Sequence, residues 1–124
     1  MMRVVIDASA LVAVAFNEPG ADEVARRLEG AAVAAPELLK FELANVAWKK
    51  IRRQPEQARA ILMALAEAVG PRAGITWLEI DPTEVTRLSL ATGLTAYDAA
   101  YVWLAGMIGA DLVTLDKRIA AATK

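Results

Sequence analysis

Four acidic residues lie beside apolar stretches of the chain. Asp7 directly follows the run VVI, and Asp116 directly follows LVTL. Glu42 lies well inside a long helical pattern, and Asp98 lies in the segment TAYDAAYVWLA. A charge beside an apolar face costs free energy unless a partner neutralises it. Carboxylate oxygens are the ligands that Mg²⁺ and Mn²⁺ prefer, so these positions suggest a metal site.

Each of these acids also has a structural explanation that the sequence leaves open. Asp7 and Asp116 both precede a predicted helix and are of the residue type that commonly caps a helix N-terminus. Thr95 and Asp98 have the spacing of a capping box, with an aspartate in place of the usual Glu or Gln. Glu42 is too far along its helix to cap it, so its structural alternative is an ion pair with a basic side chain from another element.

The residue types that the chain lacks narrow the possible chemistry. There is no Cys and no His, which excludes disulfides, zinc–thiolate sites and nucleophiles activated by histidine. Four converging carboxylates repel one another, and a divalent cation would remove that repulsion, activate water and stabilise charge on a phosphate. Ser9 and Thr114 each lie two residues from an acid and could orient it, or be ordinary helix and strand hydroxyls. Asn45 lies one helical turn beyond Glu42 and would share its surroundings.

The pattern of apolar residues predicts one domain over residues 1–124, in which strands alternate with helices. Strands are expected at 4–6, 31–35, 75–80 and 111–115. Helices are expected over 9–20, 21–30, 36–53, 56–70, 81–92, from 95 onward, and over 116–124. This alternation predicts an α/β fold with a central parallel sheet that is covered on both faces. Ligands of such folds bind at the carboxyl ends of the strands, near the point where strand order reverses.

The ordered motifs of the chain resemble those of a known family. VVIDASAL, FELANV, GLTAYDAAYVWLA and LVTLDKRI follow one another as they do in PIN-domain ribonucleases, and more narrowly in the toxin subunit of VapBC toxin–antitoxin pairs. The likeness extends from Val4 to Ala120. It implies a three-layer α/β/α fold of the PIN type and Mg²⁺- or Mn²⁺-dependent cleavage of RNA phosphodiester bonds.

The resemblance also implies roles for individual residues and partners for the chain. Asp7 and Asp98 match the acids that most consistently bind metal in such proteins, and Glu42 and Asp116 complete the site directly or through water. The hydroxyl residues two positions from the first and last acids match as well. Similar proteins form dimers and are inhibited by a small antitoxin that lays a basic side chain near the acids. We therefore expect an RNA substrate, a cognate antitoxin and a homodimer.

A basic cluster is the part of the charge pattern that favours RNA binding. The net charge is −1, from 14 basic and 15 acidic residues, so no overall field attracts RNA. Basic residues nevertheless concentrate near the end of the third predicted helix, as Lys49, Lys50, Arg52 and Arg53. They could contact phosphates, or be the cations that are favoured in the last turn of a helix. The three tryptophans are predicted to lie in the core or a dimer interface, since each falls in an apolar element.

Two other functions compete with a nuclease. An aspartate-nucleophile phosphotransferase would use Asp7 to attack phosphate, but such enzymes commonly have a second aspartate where this chain has Ser9. A non-catalytic interaction module would use the acids as helix caps, which leaves Glu42 unexplained. No apolar run reaches the roughly 18 residues of a membrane span, and no signal-peptide cleavage site is evident, so we expect no membrane association and a cytoplasmic location.

Overall fold

Four parallel strands form the central sheet. The computed structural model describes residues 2–123. The predicted domain begins at Met1 and ends, like the last predicted helix, at Lys124, and these two residues lie outside the described part of the chain. The strands are β1 (Arg3–Ile6), β2 (Ala32–Pro36), β3 (Ile75–Leu78) and β4 (Asp111–Val113), in the order β3-β2-β1-β4. Every neighbouring pair is parallel, which confirms the predicted sheet.

Seven α-helices within residues 2–123 accompany the strands. They are α1 (Ala8–Ala15), α2 (Ala21–Leu28), α3 (Leu38–Arg53), α4 (Ala58–Val69), α5 (Pro82–Thr92), α6 (Ala96–Ile108) and α7 (Lys117–Ala122). Short 3₁₀ turns at Pro55–Gln57 and Pro71–Ala73 flank α4. Across the described part of the chain, no helix combines the length and apolar character needed to cross a membrane.

Some element boundaries differ from the predicted ones for local reasons. The first helix was expected to reach residue 20 but ends at Ala15, because Asn17 adopts a left-handed conformation with a φ of 52° that terminates helices. Pro36 was expected to open α3 but pairs with Leu78 in the sheet. The φ near −65° that proline imposes is compatible with either position, so sequence could not decide between them.

The sheet is covered on both faces. Val4, Val5 and Ile6 are all buried, and consecutive side chains of a strand point to opposite faces. Helix α6 packs on β1 and β2, with α5 and α7 packed against α6, while α1, α3 and α4 pack against one another. A second apolar cluster joins α5, α6 and α7. The predicted three-layer α/β/α architecture is therefore confirmed.

The strand order fixes where a ligand site should lie. From β1 the chain passes to β2 on one side of β1, and it later returns to β4 on the other side. Strand order thus reverses between β1 and β4, and the crevice at their carboxyl ends is where such sheets bind ligands. Asp7 follows β1, and its backbone N–H donates to the Val113 carbonyl of β4 at 3.2 Å. Two of the four acids, Asp7 and Asp116, flank this crevice.

Candidate active site

Asp7 is a buried carboxylate at the end of β1. Its residue surface is 1% exposed, and its side chain caps α1 by accepting the Ala10 N–H at 3.0 Å. The Ser9 hydroxyl donates to the same oxygen, Oδ1, at 2.8 Å, and the Thr114 hydroxyl donates to Oδ2. Two donors from α1 and one from the segment after β4 therefore offset part of the cost of burying this charge and fix the orientation of the carboxylate.

The hydroxyls of Ser9 and Thr114 connect the ends of β1 and β4. Ser9 Oγ accepts the Leu115 N–H at 2.9 Å and lies 3.3 Å from Thr114 Oγ1. Thr114 Oγ1 in turn accepts the Asp116 N–H at 2.9 Å. Both hydroxyls therefore hold Asp7 and also the backbone that leads into Asp116, which is more than an isolated helix-start or strand hydroxyl does.

Asp116 caps the last helix with one oxygen and meets a guanidinium with the other. Oδ1 accepts the backbone N–H groups of Arg118 at 2.8 Å and Ile119 at 3.4 Å. Oδ2 lies 3.1 Å from Arg118 Nη2. The hydrogen bond from the Arg118 side chain, with smaller help from the backbone, holds the pKa of Asp116 below its ordinary value. The helix-cap interpretation of Asp7 and Asp116 is thus correct, although the caps account for only some of the hydrogen bonds that each carboxylate accepts.

Glu42 is held by a tyrosine. The Tyr101 hydroxyl, on α6, donates to Glu42 Oε1. Among residues 2–123, this tyrosine takes the place of the basic partner considered from sequence. Tyr101 was not predicted from the sequence, although it lies three residues after Asp98 and a buried tyrosine hydroxyl generally needs a partner. Burial, with the Glu42 charge, raises the pKa of Tyr101, so this hydroxyl stays protonated and able to donate. Asn45 is exposed and does not share the partly buried surroundings of Glu42.

Asp98 fulfils half of the predicted capping box. Thr95 caps α6 by accepting the Asp98 N–H at 3.2 Å. Within residues 2–123, the Asp98 carboxylate meets Arg118 Nη2 at 3.5 Å rather than the Thr95 backbone. Arg118 is a second residue that sequence analysis missed, because its two acidic partners come together only in the folded chain.

The four acids interact electrostatically. Burial raises the pKa of Asp7, and the charge of Asp116 raises it further, against the lowering effect of its hydrogen bonds. Burial also raises the pKa of Glu42, and the charges of Asp98 and Asp7 add to that effect, while Tyr101 opposes it. Repulsion by neighbouring acids therefore contributes to the raised pKa values of Asp7 and Glu42. The quartet as a set of metal ligands stays a prediction.

The chemistry of the donor atoms decides which cation could bind here. No group of three or more acids within residues 2–123 is arranged to hold a metal ion outright. Mg²⁺, however, is typically held by one or two carboxylates and retains several waters. Mutually repelling oxygen donors fit such a hydrated, hard cation, in an arrangement more open than a cage of protein ligands.

Lys50 is separate from the rest of the basic cluster. Its ammonium group pairs with Glu18 and lies 5.2 Å from the centre of the Phe16 ring. Both partners belong to the segment that follows α1, so Lys50 joins α3 to that segment. We therefore assign it a structural role.

The other basic residues of the cluster face solvent beside a tryptophan. Lys49, Arg52 and Arg53 are exposed and, with Trp48, line a shallow depression of about 430 Å³. The Arg52 guanidinium lies 4.8 Å from the centre of the Trp48 ring, within the range of a cation–π interaction. Of the two positions predicted for Trp48, the exposure of its side chain excludes the core, and a dimer interface stays a prediction.

Comparison with known proteins identifies the family of the chain. The model of the PIN domain family matches residues 4–124. Ribonuclease VapC3 of Pyrobaculum aerophilum is 34% identical over 96% of this chain and 93% of its own length. Exonuclease VapC9 of the same organism is 33% identical over 96% of this chain and 84% of its own length. The crystal structure of PAE2754 from P. aerophilum superposes with a TM-score of 0.77 at 32% identity, covering 99% of this chain and 87% of that one.

We predict that Glu42→Gln is at least as stable as the wild type at pH 7. The raised pKa of Glu42 means that the folded state binds a proton more readily than the unfolded state. Wild-type stability therefore falls as the pH rises from the ordinary glutamate pKa through the folded one, and the glutamine variant avoids this loss. The urea midpoint of unfolding, measured at low and at neutral pH, should increase for the variant relative to the wild type as the pH rises.

Glu56→Gln, at an exposed position beyond α3, is the matched control and should show no comparable gain. A Glu42→Gln protein that is clearly less stable than the wild type at pH 7 would mean that the carboxylate is a structural partner of Tyr101.

Proposed function

The chain belongs to the PIN-domain family, and from this membership we propose that it is a metal-dependent endoribonuclease that hydrolyses RNA phosphodiester bonds as the toxin of a type II toxin–antitoxin pair. The observation that carries the proposal is the position of the acids: Asp7 and Asp116 follow the two strands that meet at the switch point of the sheet, and neighbouring carboxylates help to raise the pKa values of Asp7 and Glu42. Relatives that bear the VapC name, at 33–34% identity over nearly the whole chain, support the toxin assignment.

Asp7, Glu42, Asp98 and Asp116 are the residues that would hold Mg²⁺ or Mn²⁺, with water completing the coordination. When bound, such a cation stabilises charge on a phosphate and lowers the pKa of water. Because burial and repulsion raise the pKa values of Asp7 and Glu42, binding of the cation would expel any proton that these acids retain.

The remaining contribution of the chain is to hold the carboxylates in place. Ser9 and Thr114 fix Asp7 through its two oxygens, and Tyr101 fixes Glu42 through one. Such partners orient metal ligands in a site, and losing one typically reduces metal affinity or activity about 10–100-fold. These three hydroxyls are therefore proposed as positioning residues.

The residue two positions after Asp7 disfavours the phosphotransferase alternative. This residue, Ser9, holds Asp7 in place and does not supply a second acid.

The exposed face of α3 offers a path for the RNA backbone. Lys49 and Arg53 lie seven and eleven residues after Glu42, which places them two and three helical turns along the same side of α3. At a rise of about 1.5 Å per residue, they lie roughly 10 and 16 Å from Glu42 along the axis. A strand whose phosphate is bound at the acids could therefore continue along these two cations.

The proposed partners are a cognate small antitoxin and a second copy of the chain, in the cytoplasm. Apolar surface supports binding to other proteins, because large exposed apolar side chains are a common feature of interfaces. Those side chains include Phe41, Leu62, Met63, Leu90 and Tyr97.

We predict that the protein cleaves a covalently closed circular RNA in the presence of Mn²⁺ or Mg²⁺, and that EDTA abolishes the reaction. A circle has no ends, so its conversion to linear products on a denaturing gel reports endonucleolytic hydrolysis alone. Glu42→Gln and Asp98→Asn should each lower the rate on the order of 100-fold or more, as expected for groups that take part in the chemistry.

Asp81→Asn is the control for loss of one aspartate charge, since Asp81 caps α5 outside the site and asparagine caps equally well. Cleavage by Glu42→Gln at the wild-type rate would refute the site assignment. If the circular RNA stays intact while a linear RNA is shortened, the protein is an exonuclease and the proposed endonuclease activity is wrong.

We also predict that the Lys49→Ala/Arg53→Ala protein binds single-stranded RNA more weakly and with a smaller salt dependence. Loss of two phosphate contacts should reduce the slope of log K against log salt by about 1.4, since each contact with a single strand contributes about 0.7. Arg72→Ala/Arg87→Ala, which removes two exposed charges elsewhere, is the control. Equal slopes for the two double variants would exclude α3 as the RNA path.

A further inference from the structure

Arg118 bridges two of the four acids. Its Nη2 atom lies 3.1 Å from Asp116 Oδ2 and 3.5 Å from Asp98 Oδ2. Asp98 belongs to α6, and Asp116 follows β4, so one guanidinium joins two elements across the site. The guanidinium thereby neutralises part of the charge that a divalent cation would neutralise.

The Arg118 side chain contacts the oxygen of Asp116 that takes no part in the helix cap. Oδ1 accepts the backbone N–H groups of Arg118 and Ile119 and is committed to the start of α7. Oδ2 receives the guanidinium. A cation held by Asp116 at Oδ2 would therefore compete with the Arg118 side chain and leave the cap at Oδ1 intact.

The Arg118 side chain can leave this position at little cost. It is 70% exposed, whereas the side chains of Asp98 and Asp116 are 25% and 27% exposed. Exposed ion pairs contribute little to stability, because water and salt screen them. The backbone N–H of Arg118, not its guanidinium, completes the cap at Asp116, so α7 keeps its N-terminus when the side chain moves.

We propose that Arg118 holds Asp98 and Asp116 before a cation binds, is displaced by that cation, and then donates to a phosphate of the RNA. The inference rests on the proposed function and adds a substrate-binding residue to it. A guanidinium presents paired N–H groups that match phosphate oxygens, and a displaced Arg118 remains beside the acids because its backbone is fixed there. One side chain would thus serve the empty site and the loaded site in turn.

Calorimetric titration with Mn²⁺ alone tests the competition. Arg118→Ala should bind Mn²⁺ several-fold more tightly than the wild type, because the guanidinium that competes with the metal ion is gone. Lys117→Ala removes the same charge from the adjacent exposed position and should bind Mn²⁺ as the wild type does. This control separates displacement of a bridging side chain from a general change in local charge.

Fluorescence anisotropy of a short labelled single-stranded RNA, measured in Ca²⁺, tests the phosphate contact. Arg118→Ala should bind this RNA several-fold more weakly than either the wild type or Lys117→Ala. Tighter metal binding together with weaker RNA binding distinguishes the proposed role from a structural one, which would weaken both. Arg118→Gln, which keeps much of the side-chain length without its charge, provides a second variant for both measurements.

The possible results separate this inference from the function on which it rests. Equal Mn²⁺ affinities in the wild type and Arg118→Ala would overturn the competition, and equal RNA affinities would overturn the phosphate contact. Either result leaves the proposed nuclease standing. If neither the wild type nor any folded variant binds Mn²⁺, the proposed function and the inference are both contradicted. Thermal unfolding shows which variants are folded.

Discussion

The site depends on the burial of one negative charge, the carboxylate of Asp7, at the end of the central strand β1. A charge in that position is tolerable only because donors surround it. The N-terminus of α1 supplies one donor, Ser9 a second, and Thr114, from the segment after β4, a third. The two chain segments that must meet at the switch point are therefore joined through Asp7 itself, and the fold and the site stabilise each other.

Helix capping and metal binding are compatible at these acids because the two oxygens of a carboxylate offer about four lone-pair sites, and a helix cap uses only some of them. Asp7 and Asp116 lie at the N-termini of α1 and α7, and Asp98 lies in the first turn of α6. The partial positive charge of a helix N-terminus favours an anion there, which lowers the cost of gathering like charges. The caps thus make it less costly to place these acids near one another, and the repulsion that remains supports the proposal of a cation.

The strand ends and caps could be predicted because they depend on local sequence. Asp7 and Asp116 each follow a short apolar run, and parallel strands bring such ends to one edge of the sheet. The partners of Glu42 and Asp98 could not be predicted in the same way. Tyr101 and Arg118 reach these acids only after α3, α6 and α7 have packed, and no spacing along the chain records that packing.

The most direct test of this account is to count bound Mn²⁺ by electron paramagnetic resonance, which detects the free ion, in the wild type, Asp98→Asn and Asp81→Asn. Both variants lose one aspartate charge near a helix N-terminus, but only Asp98 belongs to the quartet. We predict that the wild type and Asp81→Asn bind Mn²⁺ and that folded Asp98→Asn binds it far more weakly. Equal binding by all three proteins, or binding by none, would contradict a carboxylate metal site at the switch point of this sheet.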